Sequence, residues 1–291
     1  PAGVRILKDL ARTSDVFLEN FTPGVAARLG IDDPDIRAVN PKIVYASITG
    51  FGPDGPSAQK TGYDMVLSAA GGLMSITGEE DGAPVKVGVA ITDVLTGVFA
   101  VGAILAALRV REKTGEGQRI DLSLLETQVA ALVNIGSSYL VAGKLPQRWG
   151  SAHESIVPYQ AFETKDRYIT LCVGNDKMWV DFCRVFELDL AADARFTTNK
   201  LRVTNRKELI ALLKPFFQRL ASREILARLE SADIPCGPIN SIQEVFEDAQ
   251  VLHRRMVEVV DHPTAGKLKM AGIPVKFSAT ISSPSRRSPP L

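Results

Sequence analysis

Residues 43–53 join a run of β-branched and apolar residues to a glycine-rich turn. They read Ile43-Val44-Tyr45-Ala46-Ser47-Ile48-Thr49-Gly50-Phe51-Gly52-Pro53. A short apolar run that ends at glycine and proline is typical of a strand buried on both faces. Because a sheet that is covered on both faces needs helices on either side, this stretch predicts a parallel sheet within an α/β fold.

The flanking sequence alternates between helical and strand patterns, as such a fold requires. We predict helices over residues 3–12, 25–29, 63–70, 94–111 and 122–140, and strands over 15–19, 43–48 and 119–121. Beyond about Val157 the elements change, and a strand pair begins near Met256. We therefore expect a large domain with an open, Rossmann-like parallel sheet over 1–145, followed by a linker over 146–157. A smaller α/β domain is expected over 158–255. Residues 256–291 are expected to return to the large domain, with an extended tail at 282–290.

The composition is that of an ordinary globular protein. The 34 basic and 33 acidic residues nearly balance, so the net charge does not indicate binding to nucleic acid or to a charged membrane surface. The most apolar stretch, residues 94–108, is interrupted by threonine and glycine and is short for a membrane span. Three widely spaced cysteines, Cys172, Cys183 and Cys236, favour a reducing compartment over a disulfide scaffold or a zinc site.

Asp93 is the only carboxylate between Asp81 and Glu112, and it stands where a polar break opens a long apolar helix. One interpretation is an N-cap, the commoner role for aspartate at such a place. The other is a catalytic carboxylate whose ionised form is favoured by the positive end of the helix dipole. The two roles are compatible.

Several common catalytic motifs are absent from the sequence. It contains no phosphate-binding loop, no serine nucleophile elbow and no dinucleotide fingerprint after a strand. The three histidines have no metal-ligand spacing among them. We expect His253 and His262 at the surface, whereas His153 lies in a loop between the predicted domains and is a candidate to line a cleft.

A series of motifs resembles the class III CoA-transferases, the formyl-CoA-transferase-like or CaiB/BaiF family. In chain order they are Asp15-Val16-Phe17-Leu18-Glu19-Asn20-Phe21-Thr22-Pro23-Gly24 with Arg28-Leu29-Gly30, Ala46-Ser47-Ile48-Thr49-Gly50-Phe51-Gly52, Gly62-Tyr63-Asp64, Thr92-Asp93 with Gly97, the segment 109–118, and Ile234-Pro235-Cys236-Gly237-Pro238-Ile239. The segment 148–162 is most similar to the succinyl-CoA:glutarate CoA-transferase branch. The resemblance covers essentially the whole chain.

The resemblance implies the class III CoA-transferase fold and assigns roles to single residues. Asp93 matches the nucleophile, and Tyr63 matches a tyrosine beside the reaction centre. The candidates for binding CoA are Asn20, Arg28, Gly50, Gly52 and Lys60, and the candidates for a lid over the substrate are Gly150 and His153. Purely structural explanations are also open: a half-buried core tyrosine at Tyr63, surface cations at Arg28 and Lys60, and turn glycines at Gly50 and Gly52.

The resemblance also implies the partners. We expect an acyl-CoA and a small, dicarboxylic acid as substrates, with coenzyme A as co-substrate, no permanently bound cofactor and no metal. We further expect an interlocked homodimer in the mitochondrial matrix or the cytoplasm, with no nucleic-acid or membrane partner.

Two rival functions remain open at the level of sequence. One is an α-methylacyl-CoA racemase. The resemblance implies that the racemases carry a histidine at the position of Tyr63, and a phenol is a poor base at neutral pH. The other is a non-catalytic acyl-CoA binder. It is suggested because the family's opening strand–helix segment and its C-terminal extension have no counterpart here, so we expect this chain to be part of a longer protein.

Overall fold

A computed structural model describes residues 2–280 of the chain. It divides into two compact units, the first running through Ser151 and the second beginning at Ala152. The predicted extended tail, residues 282–290, lies outside the described residues. The predicted return of residues 256–291 to the large domain stays a prediction.

The first unit is a parallel sheet with helices packed on it. Its elements are α1 (Ala2–Ala11), β1 (Val16–Glu19), α2 (Val25–Leu29), α3 (Asp33–Arg37), β2 (Val44–Thr49), α4 (Asp64–Ala70), α5 (Leu73–Ile76), α6 (Ile91–Thr114), β3 (Arg119–Ser123), α7 (Leu124–Ala130) and α8 (Val133–Ala142). The strands pair in the order β1-β2-β3, all parallel. The central strand β2 lies within the stretch 43–53, and its residues Val44, Tyr45 and Ala46 are buried. The α/β fold with a parallel sheet is confirmed.

Helix α6 begins earlier than predicted, and this changes the place of Asp93. The N-cap residue is Ala90, and Asp93 lies within the first turn. The interpretation of Asp93 as the N-cap is therefore wrong. The helix starts sooner because Val89 O accepts the Ile91 N–H at 2.9 Å and Asp64 Oδ1 accepts the Thr92 N–H at 2.9 Å.

The length of α6 also bears on the membrane expectation. In the part of the chain that the structure describes, α6 is the one helix long and apolar enough to cross a bilayer by length and composition. The prediction that the apolar stretch is too short for a membrane span was wrong, because the helix continues through the glycines and threonines that interrupt the stretch. In the fold, α6 packs on β2 and β3 and against α4 and α7.

The predicted helix over residues 122–140 is a strand end and two helices. Strand β3 extends to Ser123, which pairs with Thr49. The Ser123 side chain then caps α7 by accepting the Glu126 N–H at 3.1 Å. A second break falls at Val133, whose φ of 46° lies in the left-handed region that β-branched residues rarely adopt. Apolar residues on both sides of these breaks give the sequence one continuous helical pattern.

The second unit is a separate α/β body. Its elements are β4 (Tyr159–Glu163), β5 (Tyr168–Cys172), α9 (Asp176–Val185), α10 (Asn199–Thr204), α11 (Arg206–Phe217), α12 (Ser222–Ser231), β6 (Cys236–Pro238), α13 (Ile242–Glu247), α14 (Ala249–His253), β7 (Val257–His262) and β8 (Gly266–Ala271). Strands β4, β5 and β6 form an antiparallel sheet, and β7 pairs with β8. The core is aromatic, with the Phe162 and Phe217 ring centroids 4.7 Å apart.

A fully buried arginine ties the elements of the second unit together. The Arg202 side chain on α10 is 0% exposed. It donates to Val157 O at 2.7 Å, to Phe196 O at 3.1 Å and to Asp176 Oδ1 at 2.9 Å. Its guanidinium also lies 5.2 Å from the centroid of the Trp179 ring. Burial lowers the pKa of Arg202, while the hydrogen bond to Asp176 acts in the opposite direction.

Candidate functional site

Two glycines meet where β2 ends, and they bring distant parts of the chain into contact. A Cβ added to Gly50 would lie 2.9 Å from the Cα of Gly62, so neither position has room for a side chain. Gly50 O also accepts the Leu125 N–H at 3.1 Å, which joins the end of β2 to α7. Gly62 directly precedes Tyr63 and Asp64. The close approach of the two backbones therefore sets where the start of α4 lies.

We expect Gly50→Ala to destabilise the protein by about 1–3 kcal/mol, because the added methyl group overlaps the backbone of Gly62. Any activity that depends on the start of α4 is expected to fall with it. Gly102→Ala is the matched control, since a Cβ there meets nothing within 4 Å and alanine favours a helix. Thermal unfolding of both variants checks this. Equal melting temperatures for Gly50→Ala and the wild type would show that the close approach is not needed.

Asp64 is a buried carboxylate at the start of α4, with 8% of its surface exposed. Its Oδ1 accepts the Thr92 N–H, one of the amide groups at the start of α6 that have no partner within the helix. Its Oδ2 lies 3.9 Å from Lys86 Nζ. Because Ala90 has no side-chain oxygen to cap α6, Asp64 supplies the cap from a different helix.

The Thr92 side chain anchors the same turn from the other side. Its hydroxyl lies 2.9 Å from Ser68 Oγ and donates to Gln128 Oε1 at 2.9 Å. Ser68, Thr92 and Gln128 are all buried, at 1%, 0% and 0% exposure. Helices α4 and α7 thus both hold the residue that directly precedes Asp93.

Asp93 itself is exposed, in the first turn of α6. Partial burial raises the pKa of the Asp93 carboxyl, and the negative charge of Asp64 raises it further. Both effects oppose the helix dipole, which favours the charged form. The environment therefore makes Asp93 a more basic carboxylate than an ordinary aspartate, and its placement leaves it open to a ligand.

Tyr63 does not belong to the core. It is the N-cap residue of α4, its backbone is extended, and 73% of its surface is exposed. The explanation of Tyr63 as a half-buried core residue is therefore wrong, because the helix begins one residue later than predicted. The position beside Asp64 instead leaves the phenol free for a ligand.

Three of the five candidate CoA-binding residues lie together at the carboxyl edge of the sheet. Asn20 follows β1, and its Nδ2 donates to Ile48 O of β2 at 2.7 Å. Gly50 and Gly52 follow β2. Gly52 is buried, has a φ of 103°, and donates its N–H to Thr49 Oγ1 at 3.0 Å. Ligands of open α/β sheets bind at this edge.

The two candidate cations are both exposed. Arg28 lies in the last turn of α2, with its Nη1 3.5 Å from the place where a Cβ on Gly24 would be. Lys60 lies in the loop between β2 and α4. A cleft of about 130 Å³ at the same edge is lined by other residues, including Thr22, Gly24 and Thr49. Neither cation, and none of the other candidate residues, lines that cleft.

Gly150 is held by the first unit. Its N–H donates to Gly78 O at 2.8 Å, its φ is 58°, and a Cβ there would lie 2.7 Å from Glu79 Oε2. The positive φ favours glycine at this position.

His153 is half-buried in the second unit. Its ring centroid lies 5.2 Å from that of Tyr159, and its Nδ1 accepts the Ser155 N–H at 3.1 Å. Arg206 donates to His153 O at 2.9 Å, which fixes the backbone. With Nδ1 acting as an acceptor, the neutral ring carries its proton on Nε2.

Sequence reasoning assigned no role to Asp64 or Lys86. The available signal was a carboxylate directly after Tyr63 at the start of a helical pattern, where acidic residues are favoured. The partner of that carboxylate is on another helix, 28 positions along the chain, and no local pattern encodes such a pairing. Among residues 2–280 no group of three or more histidine, cysteine or acidic side chains is arranged to hold a metal ion.

Several known proteins are similar to this chain in sequence or in fold. The model of CoA-transferase family III matches residues 1–291. The succinyl-CoA:glutarate CoA-transferases of Mus musculus and Homo sapiens are each 47% identical over 292 residues, covering 100% of this chain and 67% and 66% of their own lengths. A solved CAIB/BAIF family protein from Brucella suis superposes with a TM-score of 0.87 at 38% identity, covering 100% of this chain and 76% of that one. The chain thus spans about two thirds of the length of the curated relatives.

Proposed function

The chain belongs to CoA-transferase family III, and we propose that it moves coenzyme A from an acyl-CoA thioester to a small carboxylic acid. The observation that carries the proposal is the exposed Asp93 in the first turn of α6, next to Thr92, whose N–H is bound by Asp64; partial burial and the charge of Asp64 raise the pKa of the Asp93 carboxyl. A carboxylate that is both accessible and more basic than usual is suited to nucleophilic attack on a thioester.

The chemistry proceeds through the Asp93 carboxylate in four exchanges. An Asp93 oxygen attacks the thioester carbonyl, the C–S bond breaks, and a mixed anhydride and CoA thiolate form. The thiolate attacks the aspartyl carbonyl, which releases the donor acid and leaves an aspartyl-CoA thioester. The acceptor carboxylate then attacks that thioester and expels the thiolate, giving a second anhydride. The thiolate finally attacks the acceptor's acyl carbon, so that new acyl-CoA leaves and Asp93 is regenerated.

The other candidate residues bind and orient the substrates in this proposal. The exposed Tyr63 phenol adjoins Asp64 and can donate a hydrogen bond to a reacting oxygen. Asn20, Gly50 and Gly52 lie at the carboxyl edge of the sheet, where ligands of open α/β sheets bind, and in this proposal the CoA arm passes along that edge. The exposed guanidinium of Arg28 and ammonium of Lys60 suit phosphate oxygens.

We further propose that the lid role implied for Gly150 and His153 applies to this chain. A lid would keep water from an anhydride that hydrolyses readily. Within the first unit the positive φ of Gly150 favours glycine, and within the second unit the hydrogen bond from Arg206 fixes the backbone of His153.

The acceptor is proposed to be a dicarboxylic acid. Two similar relatives carry the name succinyl-CoA:glutarate CoA-transferase, which names a dicarboxylate on each side of the exchange. The test is incubation of the full-length protein with succinyl-CoA and isotopically labelled glutarate in deuterated water. We expect label in the thioester fraction and no deuterium at the α-carbon. Deuterium uptake without label transfer would instead indicate a racemase, and a panel of monocarboxylic and dicarboxylic acids ranks the acceptors.

We also propose that the functional form is a homodimer, as the resemblance implies. Large apolar side chains on α6 are exposed in the single chain, among them Val98, Phe99 and Leu105 at 66%, 51% and 61%. Burying such side chains against further protein is favourable. Sedimentation of the full-length protein is expected to give twice the chain mass, and a monomer at micromolar concentration would contradict the proposal.

The compartment is proposed to be the mitochondrial matrix or the cytoplasm. All three cysteines, Cys172, Cys183 and Cys236, are free. Free thiols are typical of proteins in reducing compartments. Fractionation of the source cells with an antibody to the chain tests this.

A further inference from the structure

The carboxylate of Asp64 does two things at once to the start of α6. It accepts the Thr92 N–H and so holds the helix from outside, and its charge acts on Asp93 one residue further on. A neutral carboxamide could do the first of these but not the second. A buried charge is costly unless it is paired and hydrogen-bonded, and Asp64 has both a hydrogen bond from Thr92 N–H and the ammonium of Lys86 nearby.

Lys86 keeps Asp64 in place. Its Nζ donates to Val87 O at 2.7 Å and to Val89 O at 3.1 Å, and it lies 3.9 Å from Asp64 Oδ2. The loop that leads into α6 is thereby closed onto α4. Among the described residues, the charged groups that face this turn are Asp64 from α4 and Lys86 from the loop, while α7 contributes the neutral Gln128.

Acylation of Asp93 removes the electrostatic repulsion between Asp64 and Asp93. A free Asp93 carboxylate carries a negative charge that Asp64 repels. When an Asp93 oxygen bonds to the acyl carbon and the thiolate departs, the aspartyl group becomes neutral and the repulsion ends. The same holds for the aspartyl-CoA thioester. A fixed negative charge beside Asp93 therefore favours both covalent intermediates over the free enzyme.

We propose that Asp64 is a positioning residue of the transfer reaction, which fixes the first turn of α6 through Thr92 and uses its charge to favour the acylated forms of Asp93. The inference rests on the proposed function of Asp93. Asp64 itself touches no substrate in this account, and Lys86 holds its carboxylate in place.

The first experiment measures the pKa of the Asp93 carboxyl by ¹³C NMR titration of the unliganded full-length protein. The Asp93→Asn variant identifies the Asp93 signal by its absence. We expect Asp64→Asn to lower the pKa of Asp93, because the amide still accepts the Thr92 N–H but carries no charge. Asp64→Glu, which keeps charge and acceptor, is expected to keep the pKa raised. Glu112→Gln, in the last turn of the same helix, is the control and should change nothing. An unchanged pKa in Asp64→Asn would overturn the inference.

The second experiment measures the acylated fraction. Each variant is mixed with succinyl-CoA without acceptor, and intact-protein mass spectrometry gives the share that carries CoA or an acyl group. We expect a several-fold smaller adduct-to-free ratio in Asp64→Asn and a ratio near that of the wild type in Asp64→Glu. A lowered pKa with an unchanged ratio would overturn the role in favouring the intermediates. No adduct and no transfer in the wild type would instead refute the proposed function, and the titration would still report on Asp64.

Discussion

Asp93→Asn is expected to lower the rate of CoA transfer by roughly 10³-fold or more, because an amide cannot attack a thioester and the covalent route is lost. Asp93→Ala should be equally inactive and excludes slow reversion of the amide to the acid. The measurement is the initial rate of label exchange between succinyl-CoA and labelled glutarate. Turnover within tenfold of the wild type would eliminate Asp93 as the nucleophile.

The fold is expected to tolerate these substitutions. Asp93 is exposed and does not supply the cap of α6, which comes from Asp64. Because the pKa of Asp93 is raised in the folded state, the protonated form is the one that the fold favours. Protonation of Asp93 therefore stabilises the folded protein below the ordinary carboxyl pKa. This stabilisation is lost as the pH rises through the pKa that Asp93 has in the folded state. Asp93→Asn should therefore melt at or above the wild-type temperature at pH 7, and the difference should close at low pH.

Arg202→Met is expected to destabilise the second unit by about 2–4 kcal/mol. Methionine roughly fills the volume but leaves the carbonyls of Val157 and Phe196 without their buried donor, and each unmade hydrogen bond of this kind costs about 1–3 kcal/mol. Asp176 is less affected, since its side chain is 53% exposed and can be hydrated. Urea unfolding measured by tryptophan fluorescence gives the change, because Trp179 lies directly beneath the guanidinium.

The matched control is Arg195→Met. Arg195 also pairs with acidic side chains, Asp193 and Glu208, but it is half exposed and lies at the surface. Exposed ion pairs contribute little to stability, so the control should unfold near the wild-type urea concentration. Similar losses for both variants would show that the burial of Arg202 is not what matters.

The parallel sheet could be predicted because its signal is local. Residues 43–53 carry both the apolar run of β2 and the turn that follows it, and the alternation of strand and helix patterns on either side sets the topology. The boundaries of helices were harder to predict. Leu122 and Leu124 fit a helical pattern as well as a strand end, and only the pairing of Ser123 with Thr49 in the sheet decides between them.

The candidate site was predictable only in part. Asp93 stands out in the sequence as a lone carboxylate in an apolar region, but its place within the helix depends on Asp64, whose carboxylate arrives from another helix. Likewise, Gly50 and Gly62 pack backbone against backbone, and no pattern in the sequence predicts this contact. Long-range contacts of this kind fix the geometry of the site, and they exist only once the chain has folded.

The most direct test of Asp93 as a covalent carrier is to trap the intermediate during turnover. The full-length protein is mixed with succinyl-CoA and treated with hydroxylamine, which converts an aspartyl anhydride or thioester into a hydroxamate, and the digest is mapped by mass spectrometry. We predict modification of Asp93, dependent on acyl-CoA and absent without it. Modification of another residue, or undiminished turnover with no modified residue, would contradict the account.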